Sequence, residues 1–137
     1  MAGATDYLTD ALLNNVLRAT NYAPPAAVYV ALFTAAPSDA YTSGAPDGTE
    51  VSGGSYARTA VTFGAPAAGS PGKQCQNSAA VTFPTATASW GTVTHFGIFN
   101  ASSGGELFYW AAVDTSKAVN NGDTAEFATN AITIKED

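Results

Sequence analysis

The sequence predicts a mainly β protein, an antiparallel β-sandwich or small barrel with one N-terminal amphipathic α-helix. Three observations carry this expectation: one stretch of helical periodicity near the start, short apolar or alternating runs after it, and turn-forming residues between those runs. The runs recur roughly every 10 to 20 residues, and no second helical pattern interrupts them.

The helix is expected over residues 5–18. Leu8, Leu12 and Val16 repeat at i, i+4 and i+8, with Ala11 and Leu17 widening the stripe. Thr5 suits the N-cap, Asp6 and Asp10 lie near the positive end of the helix dipole, and Arg18 lies near the negative end. Asn21 and the Pro24-Pro25 pair stop the helix. Its apolar face must be covered by a sheet edge, a barrel mouth or a neighbouring subunit, which makes Leu12 and Val16 candidate contact residues.

The β body is expected over residues 28–134. Val28 to Phe33 is a continuous apolar run between Pro25 and Pro37, as in a buried central strand. Residues 37–55 are rich in Gly, Ser and Pro, and read as a functional loop or as an arm that orders on contact. From Tyr56 to Phe63 the pattern alternates, setting Ala57, Val61 and Phe63 opposite Tyr56 and Arg58. Residues 64–77 read as a second long loop. Ser78 to Phe83, Trp90 to Phe99 and Glu106 to Val113 read as strands, the last two joined in a hairpin through the Gly- and Ser-rich turn at 100–105. In the second of these, Val93, His95, Gly97 and Phe99 should share a face. A turn at Asn120 to Asp123 leads to a last strand region around Phe127, Ile132 and Ile134. The tetrapeptide Ala-Val-Thr-Phe occurs at 60–63 and again at 80–83, which suggests two strands in similar surroundings.

At 137 residues the chain has the length of one domain with one core. Only 12% of its residues are charged, so much of its surface must be Ser, Thr, Asn, Gly and Ala, a plausible contact surface. The formal charge of −6 opposes phosphate binding, and the five basic residues are scattered, so no nucleic-acid partner is expected. No basic-then-apolar leader opens the chain and no run approaches a membrane span of about 18 apolar residues, so no membrane is expected and the protein should be made in a host cytoplasm.

The residue inventory argues against catalysis. His95 is the lone histidine and Cys75 the lone cysteine, and no nucleophile motif accompanies them; a half-buried histidine bonded to a hydroxyl or backbone group is the simpler reading. Glu50, Glu106, Asp114 and Glu126 could serve a glycosidase by residue type, but their spacing pairs none of them. Residues 120–124 lack the ligand spacing of a calcium loop, and Ser52 to Ser55 lack the ending of a phosphate loop. No cofactor, metal or small-molecule substrate is expected. Sugar binding through Trp90, Tyr109 and Trp110 stays open, core filling being the plainer account of these rings.

Three stretches together resemble a family of small tailed-phage virion proteins, often labelled tail-fibre-like or minor tail proteins. They are Tyr7 to Arg18 leading to Val28–Thr34; Glu50 to Arg58; and Ala88 to Phe99, with the similarity continuing through Gly105–Leu107 and Asn121–Asp123. The resemblance implies a virion structural role without catalytic residues. A fibre shaft needs a repeat or heptads, and the chain has neither. The expectation is therefore a decoration or cement protein on the exterior of the capsid head, a homo-oligomer with the major capsid protein or other virion proteins as partners; the alternative is a tail fibre, minor tail or baseplate component with host-surface sugar binding. The loops at 37–55 and 64–77, with Tyr41, Tyr56 and Arg58, are the expected contact surface, Tyr and Arg being common at interface hot spots.

Overall fold

A computed structural model describes residues 3–70 and 72–136. In chain order the elements are β1 (Gly3–Ala4), α1 (Asp6–Arg18), β2 (Val28–Ala35), β3 (Thr49–Glu50), β4 (Thr59–Val61), β5 (Ala67–Ala68), β6 (Lys73–Gln76), β7 (Val81–Thr82), β8 (Gly91–Phe99), β9 (Leu107–Val119), β10 (Glu126–Phe127) and β11 (Thr133–Glu136).

The apolar run at Val28 becomes the inner strand of the main sheet, whose order is β1-β9-β8-β2-β3 and whose neighbours are antiparallel. Strand β4 also pairs with β2, at its N-terminal end, where β3 leaves it free. Because successive side chains alternate, the two faces of β2 feed two clusters. Val30 and Leu32 join Phe96, Ile98, Val81, Phe83, Ile132 and Ile134 in the larger one, which lies between the main sheet and two small sheets, β10-β7 and β11-β6-β5. Ala31 and Phe33 join Tyr41, Phe99 and Leu107 on the opposite face. The sheets are antiparallel and open, so the β class is as expected and its barrel form is not adopted.

Gly97 is where the second face closes most tightly. A β-carbon there would sit 2.6 Å from Leu107 Cδ1 and 3.1 Å from the Phe33 ring, so any side chain would separate β8 from the rings laid across it.

The hairpin of β8 and β9 forms as expected, and β9 runs on to Val119. Two register shifts alter its faces. Val93 pairs with Lys117 but His95 pairs with Ala112, so β9 carries extra residues there, and the bulge turns Val93 to the side of Phe96 and Ile98 rather than that of Phe99. The expected common face of Val93, His95, Gly97 and Phe99 is thus broken. The region at 64–77 is not a loop throughout, since β5 and β6 lie within it; Lys73 to Gln76 has no apolar alternation and is held instead by backbone pairing to β11. The alternating stretch at 56–63 keeps only Thr59–Val61 as strand. Tyr56 and Val61 both contact the larger core, so the two-residue period does not run through this segment. The repeated tetrapeptides do share surroundings: Val61 and Val81 are buried in one cluster, with Phe63 and Phe83.

Candidate interaction surface

Helix α1 is held at its start and bare along its outer side. Thr5 sits at the N-cap in extended conformation, but its hydroxyl does not cap; it is fully buried and donates to the Leu107 carbonyl at 2.5 Å, while its N–H donates to Phe108. Tyr7 stacks on Phe108, and Leu8 is buried. Beyond this first turn the cover ends. Leu12 and Leu13 are 39% and 51% exposed, and Val16 and Leu17 are each 74% exposed. On a wheel of 3.6 residues per turn these four form one continuous stripe beside Leu8, so the predicted amphipathic face is real but the body covers only its N-terminal end. Ala19, with φ of 53°, closes the helix by donating its N–H to Asn14. The contrast within one stripe is measurable. Leu8→Asp should lower unfolding stability by several kcal/mol, because it forces a charge among apolar groups, whereas Val16→Asp should stay within about 0.5 kcal/mol; urea titrations of both variants check this.

The polar residues expected to form contacts are instead turned into the fold. Arg58 keeps 6% of its side chain exposed. Its guanidinium grips Glu50 with two parallel bonds of 2.8 Å, donates to the carbonyls of Ala101 and Gly104 at 3.0 and 2.6 Å, and lies 3.6 Å over the centre of the Phe99 ring. That fork fits a carboxylate in a way lysine cannot. Tyr56 donates to Glu50 at 2.9 Å and accepts from the Leu32 N–H at 3.0 Å. Burial, then the Glu50 charge, pushes the Tyr56 hydroxyl well above its ordinary range; burial alone would lower Arg58, but its bonds to Glu50 outweigh that and raise it. The group is a clamp joining the 50–58 segment to the turn of the β8–β9 hairpin.

Tyr41 is likewise buried, edge-on to Phe99, and its loop is tied down. Ser43 donates its N–H and hydroxyl to Glu106, the Ser38 N–H donates to Asp47, and Trp110 Nε1 donates to Asp39. Residues 37–55 are therefore tied to the body of the fold, with β3 lying within them. Of the five residues expected at an interface, Leu12 and Val16 are exposed together, and Tyr41, Tyr56 and Arg58 are not with them.

The chemistry-bearing side chains stay apart. His95 Nδ1 lies 2.8 Å from the Thr94 hydroxyl and its ring tilts on Trp110, as in the plain reading. Cys75 is a half-buried free thiol on β6. Glu50, Glu106 and Glu126 each meet a different partner, Glu126 taking the Thr82 hydroxyl. Among the described residues no three His, Cys, Asp or Glu cluster to hold a metal ion. Trp90 is buried with its indole N–H on Gly54, Tyr109 donates to Glu136, and Trp110 contacts the opposite cluster, so the three rings offer no common platform for a sugar.

Between the outer half of β9 and residues 123–127 lies a cleft of about 290 Å³, lined by the apolar Leu32, Val93, Val113, Val119 and Phe127, with Thr115, Lys117 and Ala118 beside them. A second hollow of about 240 Å³, reaching Phe96 and Asp114, adjoins it through Val113, Thr115 and Phe127. The signal available in the sequence was the polar continuation Asp114 to Lys117 of an otherwise apolar strand.

A family described as Podophage GP4 fiber I protein gp80 matches residues 3–135, nearly the whole chain. The chain belongs to this family. Its membership makes the chain a phage virion structural protein, in agreement with the resemblance carried by residues 7–18 and 28–34, 50–58 and 88–99. No curated protein matches the chain.

Proposed function

We propose that the chain is a non-catalytic component of the phage fibre apparatus, a compact β piece that acts through contacts rather than chemistry and is attached through the outer face of α1. The observation that carries this reading is the bare stripe of Leu12, Leu13, Val16 and Leu17, a run of apolar surface of the kind that marks a protein contact. The fibre description of the family supports the location. With no heptad or repeat, the chain suits a joint or tip rather than a shaft.

Capsid decoration is the second reading. It is favoured by the formal charge of −6, which suits an outer surface away from packaged DNA. Copy number separates the two. Quantitative mass spectrometry of purified virions should find about 3 to 12 copies for a fibre component, as ring-like symmetry implies, and hundreds for a shell protein. A count in the hundreds overturns the fibre reading.

A further inference from the structure

The turn after β9 holds a peptide bond with a chemistry of its own. Asn121 is followed by Gly122 and is exposed in the turn Asn120 to Asp123. The Asp123 N–H donates to the Asn120 carbonyl at 3.0 Å, and Gly122 takes a φ of 91° in the third position, where a type II turn calls for glycine. Glycine leaves the nitrogen after an asparagine unshielded, because it puts no side chain beside it. In a free chain that nitrogen attacks the Asn121 side-chain carbonyl carbon. It gives up its proton to hydroxide, the new N–C bond forms, ammonia leaves, and a succinimide ring remains. Water then opens the ring. Breaking the new bond gives aspartate; breaking the ring bond to the Asn121 main-chain carbonyl gives isoaspartate, with the chain continuing through the side chain. Both routes consume water and release ammonia, with no change of oxidation state.

The fold withholds that nitrogen. The Gly122 N–H donates to the Ala86 carbonyl at 2.7 Å, and the Ala86 N–H donates to the Asp123 carbonyl at 2.8 Å. Ala86 is buried in the larger core, and farther along the same two segments the Phe83 N–H donates to Ala125 at 2.9 Å. The Asn120 N–H donates to the Asp123 carboxylate at 2.9 Å, and the hydroxyls of Thr85 and Thr124 meet at 2.8 Å. The attacking atom is thus one rung of a short ladder whose other side is anchored in the core. We propose that Asn121 is a modification site latched by the fold: the bond from Gly122 to Ala86 keeps it an amide in folded copies, and a copy whose turn opens converts it to aspartate and isoaspartate. The conversion runs one way. Isoaspartate adds a main-chain carbon to the turn, so the bonds of Gly122 and Asp123 to Ala86 fall out of register. A chain that waits unfolded before joining a particle is thereby marked and kept from closing this turn.

The test follows Asn121 in the purified full chain at mildly alkaline pH, folded in buffer and, in parallel, unfolded in guanidinium chloride. Cleavage after Lys117 and Lys135 releases a peptide that also carries Asn120 and Asn130 as internal references, and tandem mass spectrometry reads each site. The folded chain should convert Asn121 at least about tenfold more slowly than the unfolded chain, the factor that about 1.4 kcal/mol of local opening gives. Asp123→Ala takes the carboxylate from the Asn120 N–H, so its folded form should convert faster than the unmodified folded chain, each measured against its own unfolded form. Should that variant fail to fold, Thr85→Ala, which removes the hydroxyl contact with Thr124, takes its place. The isolated isoaspartyl form should melt below Asn121→Asp, whose main chain is unaltered. Equal rates in folded and unfolded chains overturn the proposal, as does an unfolded chain that keeps its amide or a loosened variant that converts as slowly as the unmodified chain.

Discussion

Replacing Arg58 with methionine is expected to lower unfolding stability by about 3 kcal/mol, the lower end of the 3 to 5 kcal/mol typical when one partner of a buried ion pair is removed. The lower end applies because Glu50 keeps 25% of its side chain exposed, so water can partly solvate the stranded carboxylate. The same change frees the carbonyls of Ala101 and Gly104 and uncovers Phe99, which loosens the hairpin turn. Arg58→Lys should recover little, since an ammonium cannot make two parallel bonds to Glu50 and also reach both carbonyls. Removing both charges in Glu50→Gln/Arg58→Met should restore at least half of the loss. Urea titration of the three variants checks the set, and a double variant no more stable than Arg58→Met would show that the stranded charge is not the cause.

The second large effect is expected at Asn77, which is fully buried between β6 and β7. Its amide donates to the carbonyls of Ala79 and Ala128, and its oxygen accepts from the Ile132 N–H, each at 2.9 Å. One side chain thus ties the turn between β6 and β7 to the stretch between β10 and β11. Asn77→Ala removes three bonds at about 1 kcal/mol each and leaves a buried N–H without a partner, so a loss of about 3 to 4 kcal/mol is expected. Asn77→Asp should be no better, because it keeps the acceptor but turns carboxylate oxygen toward two carbonyls. Hydrogen exchange should localise the damage to residues 73–83 and 126–136, leaving the β2–β8–β9 sheet protected; uniform loss of protection would contradict the local role.

These two residues mark what pattern reading could reach. The helix, the central strand at Val28 and the β8–β9 hairpin were legible because each has an apolar period or a glycine-rich turn of its own. Strand β6 was not, since Lys-Gln-Cys-Gln offers nothing to a hydrophobic pattern and is fixed by backbone bonds to residues about 60 positions away. Alternation placed Tyr56 and Arg58 outside because it knows polarity but not partners, and Glu50 with Phe99 makes an inward arginine favourable. Thr5 was read correctly as the N-cap position, but its hydroxyl goes to Leu107, a tertiary contact that local sequence does not encode. The exposed stripe is legible from the period of Leu8, Leu12 and Val16, whereas the cleft beside β9 is made by strands and a turn brought together by the fold.

On the proposed function, the outer face of α1 is the means by which this protein is carried on the particle. The direct measurement is incorporation: phage grown with Leu13→Asp/Val16→Asp as the sole source of the protein, purified, and assayed for it by quantitative mass spectrometry. The variant should accumulate in the cell as folded protein and be missing from the virions. Particles carrying it at the normal copy number would contradict the account.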